Sequence, residues 1–218
     1  MRGRLIAFEG IDGCGKTTQV ELLVETMGAG TILRTAEPGA TAMGSQLRQL
    51  LLDPASPPIS SKAEALILAA DRAEHVSSVV MPALEEGRWV VSDRYSGSTL
   101  AYQGYGRGIA LDELQSLVHF ATGGLAADVN VLVEIPVELA RTRMATTRPD
   151  RLESLDEHFH ERVANGYREI ASSDPAHWGV VDGSLSVAEV RDQVRSAIEA
   201  LIGPLPSGPV GTVHRSEA

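Results

Sequence analysis

The stretch "FEGIDGCGKTTQ" (residues 8–19) decides the fold, because Gly10–Thr17 within it fits the phosphate-binding pattern G-x-x-x-x-G-K-[ST]. Glycines permit conformations in which consecutive backbone N–H groups point at one centre, and the helix predicted to follow adds its free N–H groups. Lys16 can reach the β and γ phosphates, and the hydroxyl of Thr17 can ligate Mg²⁺. The residues predicted to bind a nucleoside triphosphate are Gly10, Ile11, Asp12, Gly13, Cys14, Gly15, Lys16, Thr17 and Thr18.

Short apolar segments alternate along the chain with longer stretches that have helical spacing. The segments predicted as strands are 4–9, 31–36, 88–93, 130–135 and 178–182. Their alternation with helices predicts an α/β fold in three layers, with a five-stranded parallel sheet covered by helices on both faces. We assign 1–203 to a single P-loop domain. The Pro- and Gly-rich segment 204–218 is predicted to be a disordered tail.

The composition argues against several classes of partner. The net charge is −10, with 29 acidic and 19 basic residues, whereas binding to nucleic acid or to an anionic membrane surface rewards a basic face. A single cysteine, Cys14, allows no internal disulfide. The sequence shows no signal-peptide pattern and no apolar run of the roughly 20 residues needed to span a bilayer. We therefore expect a cytoplasmic protein that binds neither nucleic acid nor membrane.

Two acid–arginine pairs stand at positions that suit phosphate chemistry. Asp93 ends a predicted strand at the same sheet edge as the glycine-rich loop, where a carboxylate can hold Mg²⁺ directly or through water. Arg94 follows it, next to the expected position of the phosphates. Asp71 and Arg72 lie on a predicted helix whose apolar face would turn Arg72 into a cleft. The alternatives are a helix N-cap for Asp93 and surface ion pairs for the two arginines.

An arginine-rich segment, about 141–153, is predicted to form a short lid. Arg141, Arg143, Arg148 and Arg151 fall within eleven residues, interrupted by Pro149. Like charges this close repel one another unless an anion or solvent separates them, and the planar arginine fork binds phosphate oxygens in pairs. The segment therefore indicates closure over a polyphosphate. The alternative is a solvated basic helix face.

Groups suited to general acid–base catalysis are not evident. The histidines follow no metal-ligand spacing: His75, His119, His158, His160, His177 and His214. A phosphate monoester explains this pattern as the phosphoryl acceptor, because its second pKa is about 6 and it is already largely dianionic at neutral pH. Catalysis then reduces to positioning and charge neutralisation, without a general base.

The sequence resembles the thymidylate kinase family over about residues 4–202. The motifs that carry the resemblance occur in the family's order and at similar spacing: "FEGIDGCGKTTQ", "EPGAT", "LLLD", "AADRAEH", "PALEEGRWVVSDRY", "STLAYQG" and "DRLE". The resemblance implies a P-loop nucleoside monophosphate kinase that uses ATP and Mg²⁺ to convert dTMP to dTDP. It also implies a homodimer. Because the loop carries Gly13 and the lid is arginine-rich, the chain is similar to the bacterial type with a lid arginine.

The resemblance also implies roles for individual residues. Those implied to act in catalysis are Asp12, Lys16, Arg94, Arg143 and Arg148. Those implied to bind dTMP are Glu37, Pro38, Leu68, Arg72, Arg94, Thr99, Tyr102 and Gln103. Those implied to hold Mg²⁺ are Thr17 and Asp93.

Three positions depart from the usual family pattern. Ala36 and Ala40 replace the arginine and glycine that often flank "EPG", and Leu68 stands where an aromatic residue usually stacks on the thymine. Stacking of a base on an aromatic ring is worth about 1–3 kcal/mol in proteins that bind nucleic acid. The sequence therefore leaves two alternatives: a kinase for another pyrimidine monophosphate such as dUMP, or a non-catalytic nucleotide-binding module.

Overall fold

The computed structural model describes residues 2–28, 32–145 and 149–206. Its centre is a five-stranded parallel sheet in the order β2-β3-β1-β4-β5, which confirms the predicted fold. The strands are β1 (Leu5–Glu9), β2 (Ile32–Ala36), β3 (Trp89–Asp93), β4 (Val129–Glu134) and β5 (Trp178–Asp182). Each lies within one residue of a predicted segment, because β-branched and aliphatic runs bounded by turn residues are distinctive of buried parallel strands.

Helices connect successive strands. The α-helices are α1 (Lys16–Met27), α2 (Ala42–Leu52), α3 (Ser61–His75), α4 (Met81–Glu85), α5 (Ser96–Thr99), α6 (Leu111–Thr122), α7 (Val137–Met144), α8 (Glu157–Ser173) and α9 (Val187–Ile202). A π-helical segment, Val76–Val80, joins α3 to α4. Another, Leu100–Gly106, follows α5.

The sheet is buried on both faces. Along β1, Leu5 and Ala7 pack in one apolar cluster with Val80 and its neighbours, while Ile6 and Phe8 pack in a second cluster that includes Val20 of α1. Side chains of successive strand residues point to opposite faces, so this division shows helices on each side. No helix of the described residues is long and apolar enough to cross a bilayer.

The register of the strands brings three loops to one edge of the sheet. Phe8 of β1 pairs with Asp93 of β3, and Asp93 pairs in turn with Ala36 of β2. Gly10, Glu37 and Arg94, which follow these strands, therefore begin their loops side by side. In open α/β sheets, ligands bind beyond the carboxyl ends of the strands, where the chain changes direction across the sheet.

Part of the domain prediction lies beyond what the structure describes. The predicted tail, 204–218, falls outside the described residues except for 204–206. Within the predicted lid, 146–148 and with it Arg148 are also outside them. The single-domain assignment for 1–203 and the disordered tail stay predictions.

Candidate active site

The glycine-rich loop after β1 curls around the side chain of Lys16. Gly10, Gly13 and Gly15 have φ angles of 140°, 78° and 96°, which side chains with a Cβ rarely adopt. Gly10 also lies close to β4, where a Cβ would come 2.6 Å from the carbonyl oxygen of Val133. Lys16 Nζ donates to the carbonyl oxygens of Gly10 (3.0 Å) and Ile11 (2.9 Å). The ammonium group is thereby held inside the loop at the first turn of α1.

The remaining loop residues lie where the pattern predicts. Thr17 and Thr18 occupy the first turn of α1, whose N-terminus points its free N–H groups at the loop. Cys14 is buried, and its Sγ accepts from Lys16 Nζ at 3.5 Å, so it fills space inside the loop. We name the space in front of these residues the loop cavity; its lining includes Gly13, Gly15, Lys16 and Thr17.

Thr17 and Asp93 form an oxygen pair beside the loop. Thr17 Oγ1 donates to Asp93 Oδ2 at 2.6 Å, and both residues line or border the loop cavity. Hydroxyl and carboxylate oxygens are the ligands that Mg²⁺ prefers, so the donor set fits this ion. Within 2–28, 32–145 and 149–206, no group of three or more His, Cys, Asp or Glu side chains could hold a metal by itself.

Arg94 is fixed at the centre of the site by several acceptors. Its backbone has a φ of 73°, which turns the side chain back towards the loop. Nη1 donates to the carbonyl oxygen of Gly10 (3.0 Å) and to Tyr167 Oη (3.2 Å), and Nη2 donates to Asp12. Tyr102 Oη donates to the other carboxyl oxygen of Asp12 at 2.8 Å. Asp12, Arg94 and Tyr102 thus form one connected group.

The charge of Asp12 is stabilised by its neighbours. Burial by itself would raise the pKa of the Asp12 carboxyl, but the positive charges of Arg94 and Lys16 outweigh burial and hold the pKa well below its ordinary value. Asp12 is therefore ionised at neutral pH. Its negative charge keeps the Arg94 guanidinium oriented across the boundary between the loop and α3.

A second cavity lies between the loop and α3, and we name it the α3 cavity. All eight residues that the sequence analysis assigned to the acceptor line it: Glu37, Pro38, Leu68, Arg72, Arg94, Thr99, Tyr102 and Gln103. The two cavities share part of their walls: Asp12, Glu37, Pro38, Arg48 and Arg94. Two ligands, one in each cavity, would therefore meet at Arg94.

Arg72 organises the floor of the α3 cavity. Its Nε donates to Glu37 Oε2 at 2.8 Å, and its two terminal nitrogens donate to Thr99 Oγ1 (2.8 Å) and to the carbonyl oxygen of Tyr95 (3.0 Å). Both partners of the ion pair are about 3% exposed. The guanidinium is thus rigidly placed, and the predicted cleft position of Arg72 is observed.

Gln103 and the end of the predicted lid meet at Glu64. This fully buried carboxylate accepts from Gln103 Nε2 (3.0 Å), from Arg107 Nη2 (2.9 Å) and from Arg151 Nη2 (3.5 Å). Arg151 Nε also donates to the carbonyl oxygen of Leu51 at 2.6 Å. Arg151 is therefore anchored against α2 and α3, and it is not a free arginine of the lid.

The other lid arginines point in different directions. Arg143 Nη2 donates to the carbonyl oxygen of Gly183 at 3.0 Å, and the Arg143 side chain lines the loop cavity. Arg141 instead pairs with Glu157 at 2.7 Å in an exposed position. The structure therefore brings Arg143 to the loop cavity, whereas Arg141 lines a separate cavity whose walls include Ile11 and Asp12. Arg148 lies outside the described residues.

Several residues of the site were missed by the sequence analysis. Arg48 of α2 lines both cavities, and its Nη1 donates to the carbonyl oxygen of Pro38 at 2.9 Å. Glu9 is fully buried and accepts from Ser98 Oγ (2.6 Å) and Tyr167 Oη (3.1 Å), both of which also contact Arg94. Burial raises the pKa of Glu9. Arg48 lies in no quoted motif. Glu9 lies within the quoted stretch 8–19, but its contact with α8 leaves no local signal.

Comparisons with known proteins agree with this geometry. Residues 8–194 match the family model described as thymidylate kinase. The thymidylate kinase of Synechococcus sp. (strain RCC307) is 45% identical over 206 residues, which are 91% of this chain and 96% of that protein. That of Carboxydothermus hydrogenoformans is 43% identical over 206 residues, which are 93% of this chain and 100% of that protein.

A solved structure also resembles the chain. The crystal structure of thymidylate kinase from Ehrlichia chaffeensis superposes with a TM-score of 0.69 at 31% identity, covering 83% of this chain and 93% of that chain. The resemblance predicted from the motifs is therefore confirmed at the level of sequence and of fold. The chain belongs to the thymidylate kinase family.

Proposed function

We propose that the chain transfers the γ-phosphoryl group of ATP to dTMP, giving dTDP and ADP. The observation that carries the proposal is the shared wall of the two cavities, where Arg94 stands between the glycine-rich loop and the α3 cavity. Two nucleotides bound on either side would present their phosphates to one guanidinium. This arrangement suits transfer between nucleotides better than hydrolysis or simple nucleotide binding.

The loop cavity is proposed to hold the ATP phosphates. Lys16 and the amides of Gly13 and Gly15 would bind the β- and γ-phosphate oxygens, since they offer positive charge and hydrogen-bond donors at the N-terminus of α1. Thr17 and Asp93 would hold Mg²⁺, which when bound neutralises charge on the phosphate oxygens. Their present hydrogen bond of 2.6 Å shows that both oxygens reach the same point.

The α3 cavity is proposed to hold dTMP. Arg94 would bind its phosphate, while Arg72 and Thr99 would contact the base at the end of the cavity away from the loop. Leu68 would pack on the pyrimidine ring by dispersion in place of an aromatic side chain. Tyr102, fixed by its bond to Asp12, would lie against the sugar and leave little room for a 2′-hydroxyl.

The proposed chemistry needs no general base in the protein. A phosphate oxygen of dTMP, already unprotonated at neutral pH, attacks the γ-phosphorus while the bond to the ADP oxygen breaks, so no proton has to move. Lys16, Arg94 and Arg143 would stabilise the charge that develops on the transferred group. Asp12 would keep the Arg94 fork aligned. Arg148 is proposed as a further lid arginine from the resemblance alone.

We also propose that the protein acts as a cytoplasmic homodimer. Leu66 on α3 is 59% exposed and its neighbour on the same face, Ala70, is also exposed. Contiguous exposed apolar surface marks sites that bind another protein, and Leu66 with Ala70 forms a small apolar surface of this kind on α3. A second copy of this chain would cover them, in keeping with the homodimer that the family resemblance implies.

A panel of nucleoside monophosphates tests the proposed activity. ADP release from ATP is measured by a coupled assay with dTMP, dUMP, dCMP, dGMP and UMP in turn, each in the presence of Mg²⁺. The proposal expects fast turnover with dTMP and much slower turnover with the others. A preference for dUMP would change the substrate, and ATP hydrolysis that ignores every acceptor would overturn the proposal in favour of a nucleotide-binding module.

A further inference from the structure

His75, at the end of α3, is fully buried and lines neither cavity, yet it contacts the wall of the α3 cavity. We propose that His75 is a positioning residue for dTMP, acting through Glu37 and Arg72. The inference rests on the proposed function, because it assigns a role within the same acceptor site. It concerns a residue that cannot touch the substrate.

An unbroken series of hydrogen bonds links His75 to the wall of the α3 cavity. Thr35 Oγ1 lies 2.6 Å from His75 Nε2, and His75 Nδ1 lies 2.8 Å from Glu37 Oε1. The other oxygen of Glu37 accepts from Arg72 Nε at 2.8 Å, and Arg72 reaches Thr99 at 2.8 Å. The series therefore runs from strand β2, beneath the cavity, to helix α5.

The partner of His75 Nδ1 fixes the direction of that bond. A carboxylate oxygen only accepts, so His75 donates its Nδ1–H to Glu37. His75 Nε2 faces the hydroxyl of Thr35, which can either donate or accept, so this bond forms whichever way its proton points. In this arrangement both ring nitrogens of His75 and both carboxyl oxygens of Glu37 have a partner.

The burial of the group makes its geometry sensitive to His75. Glu37 and Arg72 are each about 3% exposed, so water cannot readily replace a lost hydrogen bond. Without the Nδ1–H donor, one oxygen of a buried carboxylate loses its bond and the carboxylate can rotate about the remaining contact with Arg72. Because Glu37 and Arg72 both line the α3 cavity, such a rotation would move the groups proposed to face the base.

Two substitutions of His75 separate positioning from packing. In His75→Asn, the side-chain amide nitrogen takes the place of Nδ1 and can still donate to Glu37, although the bond to Thr35 is lost. In His75→Gln, the amide reaches the place of Nε2 and can keep the bond to Thr35, but no donor faces Glu37. Gln fills more of the imidazole volume than Asn, so a role in packing alone favours Gln over Asn.

The expected result is a split between the two variants in their kinetics with dTMP. His75→Gln should raise the KM for dTMP about tenfold or more, as expected for losing a buried hydrogen bond to a charged group. His75→Asn should stay within about threefold of the wild type. The KM for ATP should be unchanged in both. The melting temperature should fall at least as far in His75→Asn as in His75→Gln.

Several outcomes would overturn the proposal. One is a KM for dTMP that follows the melting temperature, with Asn worse than Gln. Another is equal kinetics in both variants, whether normal or impaired. The matched controls are His158→Asn and His158→Gln, because His158 is 85% exposed on α8 and pairs with Glu161 across one helical turn. These controls should leave all parameters unchanged.

The same experiment distinguishes failure of this inference from failure of the proposed function. If wild-type protein does not phosphorylate dTMP, the proposed function is wrong. If the wild type is active and the two His75 variants do not separate in the predicted order, the proposed function stands and the role of His75 is wrong.

Discussion

Arg94 lies at the centre of the site, and its backbone adopts a left-handed conformation with a φ of 73°. A left-handed conformation at a residue with a Cβ costs about 1–2 kcal/mol, so other contacts must hold it. The backbone N–H of Arg94 donates to Phe8 O at 2.9 Å, and its carbonyl oxygen accepts from Ser92 Oγ at 2.7 Å. The side chain folds back over the loop, where its Nη1 donates to the carbonyl oxygen of Gly10. This strained backbone conformation places the planar guanidinium of Arg94 between the loop cavity and the α3 cavity.

Replacing Arg94 by lysine tests this role while keeping the charge. Lysine cannot reach Asp12, Gly10 and a phosphate together with a planar fork, so we expect kcat/KM for dTMP to fall about 100-fold. The KM for ATP should change little. Arg88→Lys is the matched control, because Arg88 is partly exposed and lies 3.7 Å from Glu86. Steady-state kinetics with normal turnover and an unchanged KM for dTMP would contradict the role.

Asp71 gives a prediction about stability and pH. Burial raises the pKa of the Asp71 carboxyl, and the negative charge of Glu37 raises it further. The folded protein then binds this proton more tightly than the unfolded chain, whose carboxyl titrates near pH 4. The stability contributed by the proton is therefore full below about pH 4 and is lost as the pH rises through the raised pKa of Asp71.

Asp71→Asn removes this titration and keeps an acceptor for the N–H of Gly39, which Asp71 Oδ1 accepts at 3.0 Å. We expect the free energy of unfolding of the wild type, relative to Asp71→Asn, to decline as the pH rises from about 4 towards 8. Urea titrations of both proteins at several pH values measure the difference. A difference that stays constant or grows with pH would show that the carboxyl is not destabilised by burial.

At the level of residues, positions can be predicted from sequence where spacing is rigid, and they cannot where contacts are distant. The loop Gly10–Thr17 is recognisable because its eight adjacent positions together form one phosphate-binding pattern. Arg72 shares the buried face of α3 with Ala65 and Ala69, so the spacing of the apolar positions places it at the cleft. Glu9 and Tyr167, by contrast, are 158 residues apart and meet only after α8 has packed. No local sequence pattern predicts a contact between residues so far apart in the chain.

At the scale of elements, helix α7 directs two nearby arginines to different places. Arg141 and Arg143 are two positions apart, and on a helix such residues do not share a face. One pairs with Glu157, and the other reaches Gly183 and the carbonyl oxygen of Cys14 in the loop (3.5 Å). The helix therefore decides which arginine can approach a phosphate in the loop cavity.

The two arginines of α7 should differ sharply on substitution. Arg143→Ala should lower kcat about 100-fold, since it removes a positive charge from the loop cavity. Arg141→Ala serves as the control and should stay within about twofold, because exposed ion pairs contribute little. Single-turnover rates with saturating ATP and dTMP make the comparison. Equal losses, or a larger loss in Arg141→Ala, would contradict the assignment.

The π-helical segment Leu100–Gly106 shows why some elements escape sequence analysis. A Cβ on Gly104 would lie 2.6 Å from Leu111, and one on Gly106 would lie 2.7 Å from Phe159. The glycines are thus required by close packing with α6 and α8, although they lower helix propensity. Local propensity therefore argued against a helix that tertiary contacts produce, and this helix carries Tyr102 and Gln103.

For the whole molecule, the arrangement of the sheet was predictable because its strands are apolar on both faces and separated by helices. The order of the strands was not, since a pattern of alternation fits several windings of the same elements. That order matters for function. It places β1 in the centre, between β3 and β4, so the loop after β1 lies beside Asp93 and Arg94.

The proposed homodimer is tested by charging the exposed face of α3. Leu66→Arg should convert a dimer to a monomer in sedimentation equilibrium at micromolar concentration, because a buried unpaired charge opposes association. Val180→Arg is the control, since Val180 is 53% exposed on β5. A wild type that sediments as a monomer, or a Leu66→Arg variant that remains a dimer, would exclude α3 as the interface.

The most direct test of the account is a crystal structure with adenosine and thymidine joined through a chain of five phosphates, which spans both cavities. The account predicts thymine in the α3 cavity beside Leu68 and Arg72, with the phosphate chain crossing the shared wall. Lys16 Nζ and the Arg94 guanidinium should each lie within about 3.2 Å of a phosphate oxygen. A structure in which the phosphates avoid both groups, or the thymidine lies outside the α3 cavity, would contradict it.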